Sequence, residues 1–527
     1  MGSEQREAEG PDLTQGVSLS ALADGEIVRG QAEGQEVVMV RVDGQVHAVD
    51  AGCTHYGVSL GGGIVVGHTL RCPAHHSRFD VRTGEAVAAP ALRPLGCWNV
   101  EVRDGRAFVT GRREPANPPP AAVPAGAPGS VVIVGAGAAG SACAEMLRRL
   151  GFAGTVTMID AGSDGPVDRP NLSKDYLAGN APEEWIPLFP PEWYAENRID
   201  LVLGSRVIGI DPADRRVRLM NGRGFDYDAL LLATGSEPVR LPVPTRDAAN
   251  VFYLRTLADS RAIIRAAEGA KRAVVVGSSF IGLEVAASLR ARGLEVTVVS
   301  HEPIPLSRVL GPELGWMLQL LHGEHGVRFH LNDAVAALDE TKVTLRSGIT
   351  LDADLVVVGI GVRPGVALAS WAGLKVENGV VVDEYLRTSA PGIWAAGDVC
   401  RWPDPWTGQP IRSEHWVVGQ RQGQTAARNM LGHAERFNAA PFFWSTHYDV
   451  TVSYVGHAEK WDAIDIEGDP TAHDCTAVYR KNGKPHAVAT ISRDRASLCA
   501  AAAMEAADVA AVEAAIRGES PAAAHAG

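Results

Sequence analysis

Short runs that alternate apolar and polar residues open the chain. "EIVRG", "EVVMVRVDGQVHAVD" and "WNVEVRDGRAFVTG" keep the period of two expected of half-buried strands, and Asp-Gly turn signals stand inside the last two. They predict a small antiparallel β domain over 13–113. From Glu114 to Ser130 the pattern stops: "EPANPPPAAVPAGAPGS" has six prolines in seventeen residues. Such a run predicts an extended, semi-rigid linker over 114–129. Beyond it, apolar strand-like runs alternate with glycine-led helical patterns, the signature of α/β architecture with parallel sheets. From Phe442 the alternation returns in "FFWSTHYDVTVSYVG", "TAVYRKNG" and "HAVATISR". A final Ala-rich helix is expected with Val509, Val512 and Ile516 on one side and Gly518 as its stop. The segment 438–517 is thus a small α+β domain, and 518–527 is expected to be a disordered tail.

Bulk properties narrow the function classes. A chain of 527 residues is several domains by the prior of roughly 100–200 residues each. The formal charge of -13 and pI near 5.7 argue against nucleic acid or an anionic membrane as principal partner. The opening "MGSEQREAEGPDL" is polar, so no secretory leader is expected, and Arg6 spoils a myristoylation signal. No run of about 20 apolar residues predicts a membrane span. Seven cysteines do not make a disulfide scaffold. A cytoplasmic protein is the expectation.

Candidate chemistry begins at "CTHYGVSLGGGIVVGHTLRCPAHHSRFD". Cys53 and His55 form a C-x-H pair, and Cys72 and His75 form a C-x-x-H pair after sixteen further residues. Thiolates and imidazoles suit either zinc or iron–sulfur chemistry. Zinc fingers usually pair Cys with Cys. A Rieske 2Fe–2S centre needs two thiolates on one iron and two imidazoles on the other, so each loop must supply one of each. With "FDVRTGE" following, the stretch resembles a Rieske ferredoxin domain. A structural zinc site is the competing reading. The resemblance implies a disulfide in membrane-complex relatives, at positions held here by Val58 and Ala74. It also sets Phe79 where high-potential relatives carry a sulfur-bonding Tyr, although Ser77 remains available. Fewer hydrogen bonds to sulfur predict a low-to-middle potential, within reach of a flavin. His76 replaces a common Gly and is expected to be a neighbour, not a ligand.

Two glycine loops follow. "VVIVGAGAAGSACAEMLRRLG" is a strand, a G-x-G-x-x-G turn (Gly135, Gly137, Gly140, with Ala138 opening the helix) and a helix. Its glycines let the backbone approach a pyrophosphate, which a helix N-terminus stabilises. "VVVGSSFIGLEVAASLRARGLEVTVVS" repeats the unit with Gly277, Ser279 and Gly282. Two later segments, "LLLATGSEP" (Ala233, Thr234, Gly235) and "IWAAGDVC" (Gly397, Asp398), complete an order that resembles the two-dinucleotide flavoprotein reductases. That resemblance implies an FAD domain in two parts, 130–248 and 369–437, around an inserted NAD(P)H domain, 249–368. It also implies that Asp398 holds the flavin's ribityl and phosphate region.

No second cysteine stands near Cys143, which excludes a dithiol relay of the glutathione-reductase kind. "DRPNLSKDYLAG", "SEHWVVGQRQGQTAARNMLG" and "PFFWSTHYD" instead resemble the oxygenase-coupled ferredoxin reductases and the apoptosis-inducing-factor group, and the likeness covers almost the whole chain. It implies flavin-side roles for Arg169, Lys174 and Trp416. Lys174 would approach the flavin ring, Glu284 lie by the nicotinamide, and Trp444 line the ring's far side. Each has a plainer alternative: surface cation, helix-surface residue, core. Gly162 stands where the family has an acidic residue for the adenosine ribose, which leaves Asp160 as the candidate. In the second fold Ser300 takes that place, followed by His301 and Glu302. With no Arg there to meet a 2′-phosphate, NADH is the expected donor, and NADPH stays open.

Together these parts predict an NAD(P)H-dependent reductase passing electrons through FAD and the cluster to an external acceptor, an oxygenase or haem protein by resemblance. Two other readings are open at this stage: an NADH oxidase or quinone reductase whose Rieske domain docks or senses, and a redox-responsive interaction protein. The oligomeric state is not legible.

Overall fold

The structure, a computed structural model, describes residues 10–114, 124, 126–243 and 249–519. Most of the expected linker and tail therefore lies outside the described residues. The first unit is a six-stranded antiparallel sheet in the spatial order Val17–Ser18, Arg106–Arg113, Cys97–Arg103, Gln45–Asp50, Gln35–Val42, Ile27–Ala32. Its two Asp-Gly hairpins turn on consecutive left-handed residues, Asp43–Gly44 (φ 51° and 74°) and Asp104–Gly105 (φ 52° and 70°). That conformation suits type I′ turns, whose twist matches the flanking strands. A four-stranded sheet, Ile64–Val66, Thr69–Arg71, Arg78–Asp80 and Ala86–Ala88, carries the C-x-x-H loop between its second and third strands.

The second unit is built on two five-stranded parallel sheets. One runs Ile199–Val202, Thr155–Ile159, Ser130–Val134, Ala229–Leu232, Ile393–Ala395. The other runs Val251–Tyr253, Leu355–Val358, Arg272–Val276, Glu295–Val299, Arg328–His330, so it is inserted before the first sheet's last strand. The strands read as continuous apolar runs because both faces are covered. Helices cover one face and a three-stranded antiparallel sheet the other, Val207–Asp211 to Gly224–Asp226 on the first and Val335–Leu338 to Thr350–Asp352 on the second. Helix Ala138–Arg149 packs along helix Trp416–Met430. A five-stranded antiparallel sheet, from Phe442–His447 to Lys484–Ile491, and helices Asp494–Glu505 and Val509–Ile516 complete the chain. In the last helix Val512 and Ile516 are buried as expected, but Val509 in its first turn is exposed and Ala515 shares the core. Gly518 stops the helix at φ 68°, with its N–H on the Ala515 carbonyl.

The β domain sits against the reductase through a polar seam. Ala86–Ala88 is an edge strand, and an uncovered edge leaves carbonyls without partners. Here arginines of the reductase supply the donors. Arg149 reaches the Ala86 carbonyl, Arg428 the Val87 carbonyl at 3.2 Å and Arg421 the Ala89 carbonyl at 3.1 Å. The Ala89 N–H returns a bond to Gln424 Oε1 at 3.0 Å. In the opposite sense, Arg71 and Arg78 of the β domain converge on Glu505, with Arg71 Nη1 at 2.9 Å. Burial pushes the Glu505 carboxyl up, but Arg78, Arg71 and Arg421 outweigh it and hold it down at about 2.

Because that group's folded value lies below its ordinary 4.5, its contribution is complete above pH 4.5 and is lost as pH falls through about 2. Docking of the two units should thus be insensitive to pH from 6 upward. Glu505→Gln leaves two buried guanidiniums uncompensated, a cost of about 3–5 kcal/mol. It should detach the β domain without unfolding the reductase. Small-angle scattering would register the larger radius of gyration, and calorimetry the retained reductase transition.

Candidate functional site

The two short cysteine–histidine loops meet at one end of the β domain. Each is closed by its own backbone: Cys53 N–H bonds the Val58 carbonyl at 2.9 Å, and Cys72 N–H the Ser77 carbonyl at 2.9 Å. The loops bring the four side chains together as two like pairs. The Cys53 and Cys72 thiols lie beside each other, and His55 Nδ1 faces His75 Nδ1 at 3.2 Å. Among the described residues, no three Cys, His, Asp or Glu side chains converge as they would on a single metal ion. A thiol pair beside an imidazole pair fits a two-iron cluster better than a tetrahedral zinc site.

Burial pushes both imidazoles down, His55 to about 3, so their nitrogens are neutral and free to ligate. The Cys72 contact brings the Cys53 thiol down to about 7 against its burial, with help from backbone N–H groups and the Ser77 hydroxyl. Ser77 also accepts the Ala91 N–H at 3.1 Å. His76 turns away from the pair. It adopts a left-handed φ of 59°, stacks on Phe442 at 3.8 Å and meets Ser497 Oγ at 3.3 Å. A position held at positive φ is one that glycine fills without strain.

Directly beyond the imidazoles lies a cavity of about 510 Å3. Three helices begin at its wall, Ala138–Arg149, Phe280–Ala291 and Trp416–Met430, and none has a side-chain cap. Their free N–H groups suit phosphate oxygens. Gly137 and Ala138 line this wall, as do Ala233, Gly235, Ser279, Gly397, Asp398, Arg169 and Trp416. The buried Ser413 Oγ and His415 Nδ1 on the same wall lack protein partners. Uncapped termini and unpartnered polar atoms fit a large phosphorylated cofactor such as a dinucleotide.

Other predicted residues serve the cavity from behind. A Cβ on Gly140 would lie 1.9 Å from the Gly135 carbonyl oxygen, and one on Gly135 would lie 2.2 Å from that of Ala233. Gly277 and Gly282 repeat this, each with a carbonyl oxygen 2.2 Å from a would-be Cβ. Asp160 spends both carboxylate oxygens on backbone, the Ala136 and Gly162 N–H groups at 2.7 Å each, and so shapes the loop. Thr234 Oγ1 donates to the Gly365 carbonyl at 2.8 Å, and Glu302 pairs with Arg308 at 3.0 Å. Ser300 accepts from Ser278 at 2.8 Å. Asp398 pairs with Arg255 at 2.8 Å. Burial, reinforced by Arg255, lowers the Arg169 guanidinium to about 10.

On the cluster side of the cavity Lys174 Nζ pairs with Glu284 Oε2 at 2.9 Å. Glu284 is 4% exposed despite its place in helix Phe280–Ala291, which removes the helix-surface alternative. Ser173 and Ser445 each donate to it at 2.6 Å. Behind Ser445 the bonds continue to His447 Nε2 (3.1 Å), from His447 Nδ1 to His322 Nε2 (3.2 Å), and from His322 Nδ1 to Tyr448 Oη (3.4 Å). Burial holds both histidines neutral, His447 at about 3. The single Ser445 hydroxyl proton goes to Glu284, so His447 donates from Nε2 and accepts at Nδ1. Every donor in the chain therefore points toward the carboxylate. Sequence reasoning missed Arg255, Ser173, Ser445, His447 and His322, because their roles lie in contacts between distant segments. Trp444, 9% exposed, fills the wall between cavity and imidazoles, its ring 4.1 Å from that of His75.

Gly140→Ala must push the first loop off the Gly135 carbonyl, an overpacking cost of about 1–3 kcal/mol. The purified variant should lose most of its flavin absorbance while the β domain keeps its fold. Ser445→Ala leaves Glu284 and His447 short of one bond each. Denaturant titration should show a loss of about 1–3 kcal/mol.

Comparisons with known proteins give three family matches along the chain. Residues 129–423 match the pyridine nucleotide-disulphide oxidoreductase family, residues 16–99 the Rieske [2Fe-2S] domain and residues 442–520 the reductase C-terminal domain. The chain is 33% identical to apoptosis-inducing factor 3 of Mus musculus, over 87% of this chain and 78% of that protein. It is 37% identical to putidaredoxin reductase CamA of Pseudomonas putida, over 69% of this chain and 89% of the relative. The covalent putidaredoxin reductase–putidaredoxin complex superposes with a TM-score of 0.69 at 35% identity, covering 73% of this chain and 94% of that one. No disulfide joins any of the seven cysteines in the structure. The chain belongs to the pyridine nucleotide-disulphide oxidoreductase family, as an FAD- and NADH-dependent flavoprotein that carries its own Rieske 2Fe–2S domain.

Proposed function

We propose that the protein is an NADH-dependent reductase whose electron path from flavin to Rieske cluster lies within one chain, with an external redox protein as final acceptor. The observation that carries this reading is the contact of Trp444 with His75 across the cavity wall. In this reading Cys53 and Cys72 hold one iron, and His55 and His75 the other. FAD when bound accepts two electrons as a hydride and releases them singly. The chain's own residues position and tune. The uncapped helix starts hold the phosphates. Lys174, fixed by Glu284, presents its ammonium to the cavity. Trp444 would exclude water between the flavin cavity and the imidazole pair. The polar seam holds the gap constant, so no diffusing partner is needed for the internal step.

The acceptor is proposed to dock on the loop of His55. Val58 there is 36% exposed, and the Tyr56 ring stacks on His55 at 3.8 Å with one face open although its hydroxyl is tied to Asp168 of the reductase. Among the described residues no helix is long and apolar enough to cross a membrane. An oxygenase system is the acceptor class suggested by relatives such as the anthranilate 1,2-dioxygenase system ferredoxin–NAD(+) reductase component of Burkholderia cepacia.

Anaerobic NADH should bleach the flavin and then raise a Rieske-type EPR signal with low average g. Bleaching without that signal would sink the internal path. Cys72→Ser should keep flavin bleaching and lose reduction of one-electron acceptors. Trp444→Ala should leave bleaching intact and slow cluster reduction by roughly tenfold or more, the effect of about 1.4 kcal/mol on a barrier. Rapid freeze-quench EPR separates the two steps.

A further inference from the structure

The seam encloses a second cavity of about 290 Å3 that shares no wall residue with the flavin cavity. Its walls come from both units: Arg71 and Arg78 from the β domain, Arg421, Gln424 and Arg428 from helix Trp416–Met430. Four guanidiniums thus face one small space. Two carboxylates answer them, Glu505 to Arg71 and Arg78, and Glu435 to Arg428 at 3.3 Å. A formal excess of two positive charges remains at the wall. Glu145 and Glu85, further along, share the single Arg149 and also act on Arg428, so the wider cluster keeps a formal excess of one.

Arg421 is the least compensated. It is 5% exposed, and its bonds go to the neutral carbonyls of His76 (2.6 Å) and Ala89 (3.1 Å). No carboxylate among the described residues pairs with it directly, and its charged neighbours are Arg78, Glu505 and Arg71, with Glu505 already bound by the other two. A buried guanidinium in that setting is costly unless an anion approaches. The unpartnered buried atoms of the wall residues are Arg71 Nε, Arg78 Nε and Gln424 Nε2, donors without exception. Gln424 has already spent its oxygen on the Ala89 N–H. Excess positive charge and spare donors ask for one kind of guest, an acceptor-rich anion.

We propose that this cavity binds a small oxyanion of two or more negative charges, a phosphate group or a polycarboxylate, bridging the β domain and the reductase. Its size lies at the low end of ligand sites and suits a phosphate ester or a tricarboxylate, not a dinucleotide. Because both units supply walls, occupancy favours the docked arrangement over any separated one. The site therefore couples the anion's concentration to how firmly the cluster is held at Trp444.

The test uses the flavin- and cluster-loaded protein at constant ionic strength. Inorganic phosphate, glycerol 3-phosphate and citrate are titrated by calorimetry, with sodium chloride as the background. Saturable binding of one anion per chain is expected for at least one of the three. Inorganic phosphate as the tightest would assign a free anion; the ester or citrate would assign an organic one. Arg428→Gln, and separately Asn438→Asp at the exposed rim, should weaken binding at least tenfold with flavin content unchanged. No saturable binding by any of the three would overturn the proposal. So would binding that both variants leave unaltered, since the anion would then sit in the nucleotide cavity.

Discussion

What fixes the β domain's place on the reductase is above all the burial of charge at the seam, beside the packing of Ile64, His75 and His76 on the C-terminal domain. Removing a guanidinium or carboxylate from water costs several kcal/mol, and their attraction repays this only when the geometry is good. Glu505 therefore does not simply add stability. It fixes where Arg71 and Arg78 must be, and hence where the four-stranded sheet carrying Cys72 and His75 comes to rest. An apolar seam could slide by an ångström at little cost. A carboxylate held between guanidiniums, with an edge strand's carbonyls capped by three more, cannot.

Helix Trp416–Met430 transmits this constraint to the flavin cavity. Trp416 stands at the cavity wall, and Gln422 Oε1 accepts the Gly397 N–H at 2.8 Å inside a flavin-side motif. One position earlier, Arg421 holds the loop behind His75 through the His76 carbonyl. One helix thus touches both cofactor sites on successive faces. A second link runs from Tyr56, whose hydroxyl donates to buried Asp168, into the segment that ends at Lys174. The imidazole pair and the cavity wall are thus held relative to each other by rigid elements from both sides, as the proposed electron step would need.

Some of the site was plain in the residues. Cys and His at C-x-H and C-x-x-H spacing must place one thiol and one imidazole per loop, and the two like pairs are observed. Gly135 and Gly140 were legible because only a missing side chain permits the backbone contacts they make. Asp160 and Glu302 were harder. Spacing pointed to Gly162 and Ser300, neither of them acidic, and left Asp160 and Glu302 as the nearby candidates. Asp160 accepts the loop's own amides and Glu302 pairs with Arg308, contacts that spacing does not report. Local spacing reports which residues are near a loop. It does not report which hydrogen bonds are already taken.

The sequence alone determined the parts: a β domain with a cluster motif, two glycine-loop folds and a small α+β domain. It did so because each rests on local signals, such as period-two strands, glycine turns and ligand pairs a few residues apart. Tertiary structure alone decided how the parts face one another. Residues 55, 75 and 444 meet, 173, 284, 445, 447 and 322 join in one chain, and 71, 78, 421 and 505 share a buried space. These contacts join segments hundreds of residues apart, and their worth comes from burial. Water removal makes a charge or a hydrogen bond decisive, and which groups lose their water is a property of the assembled fold.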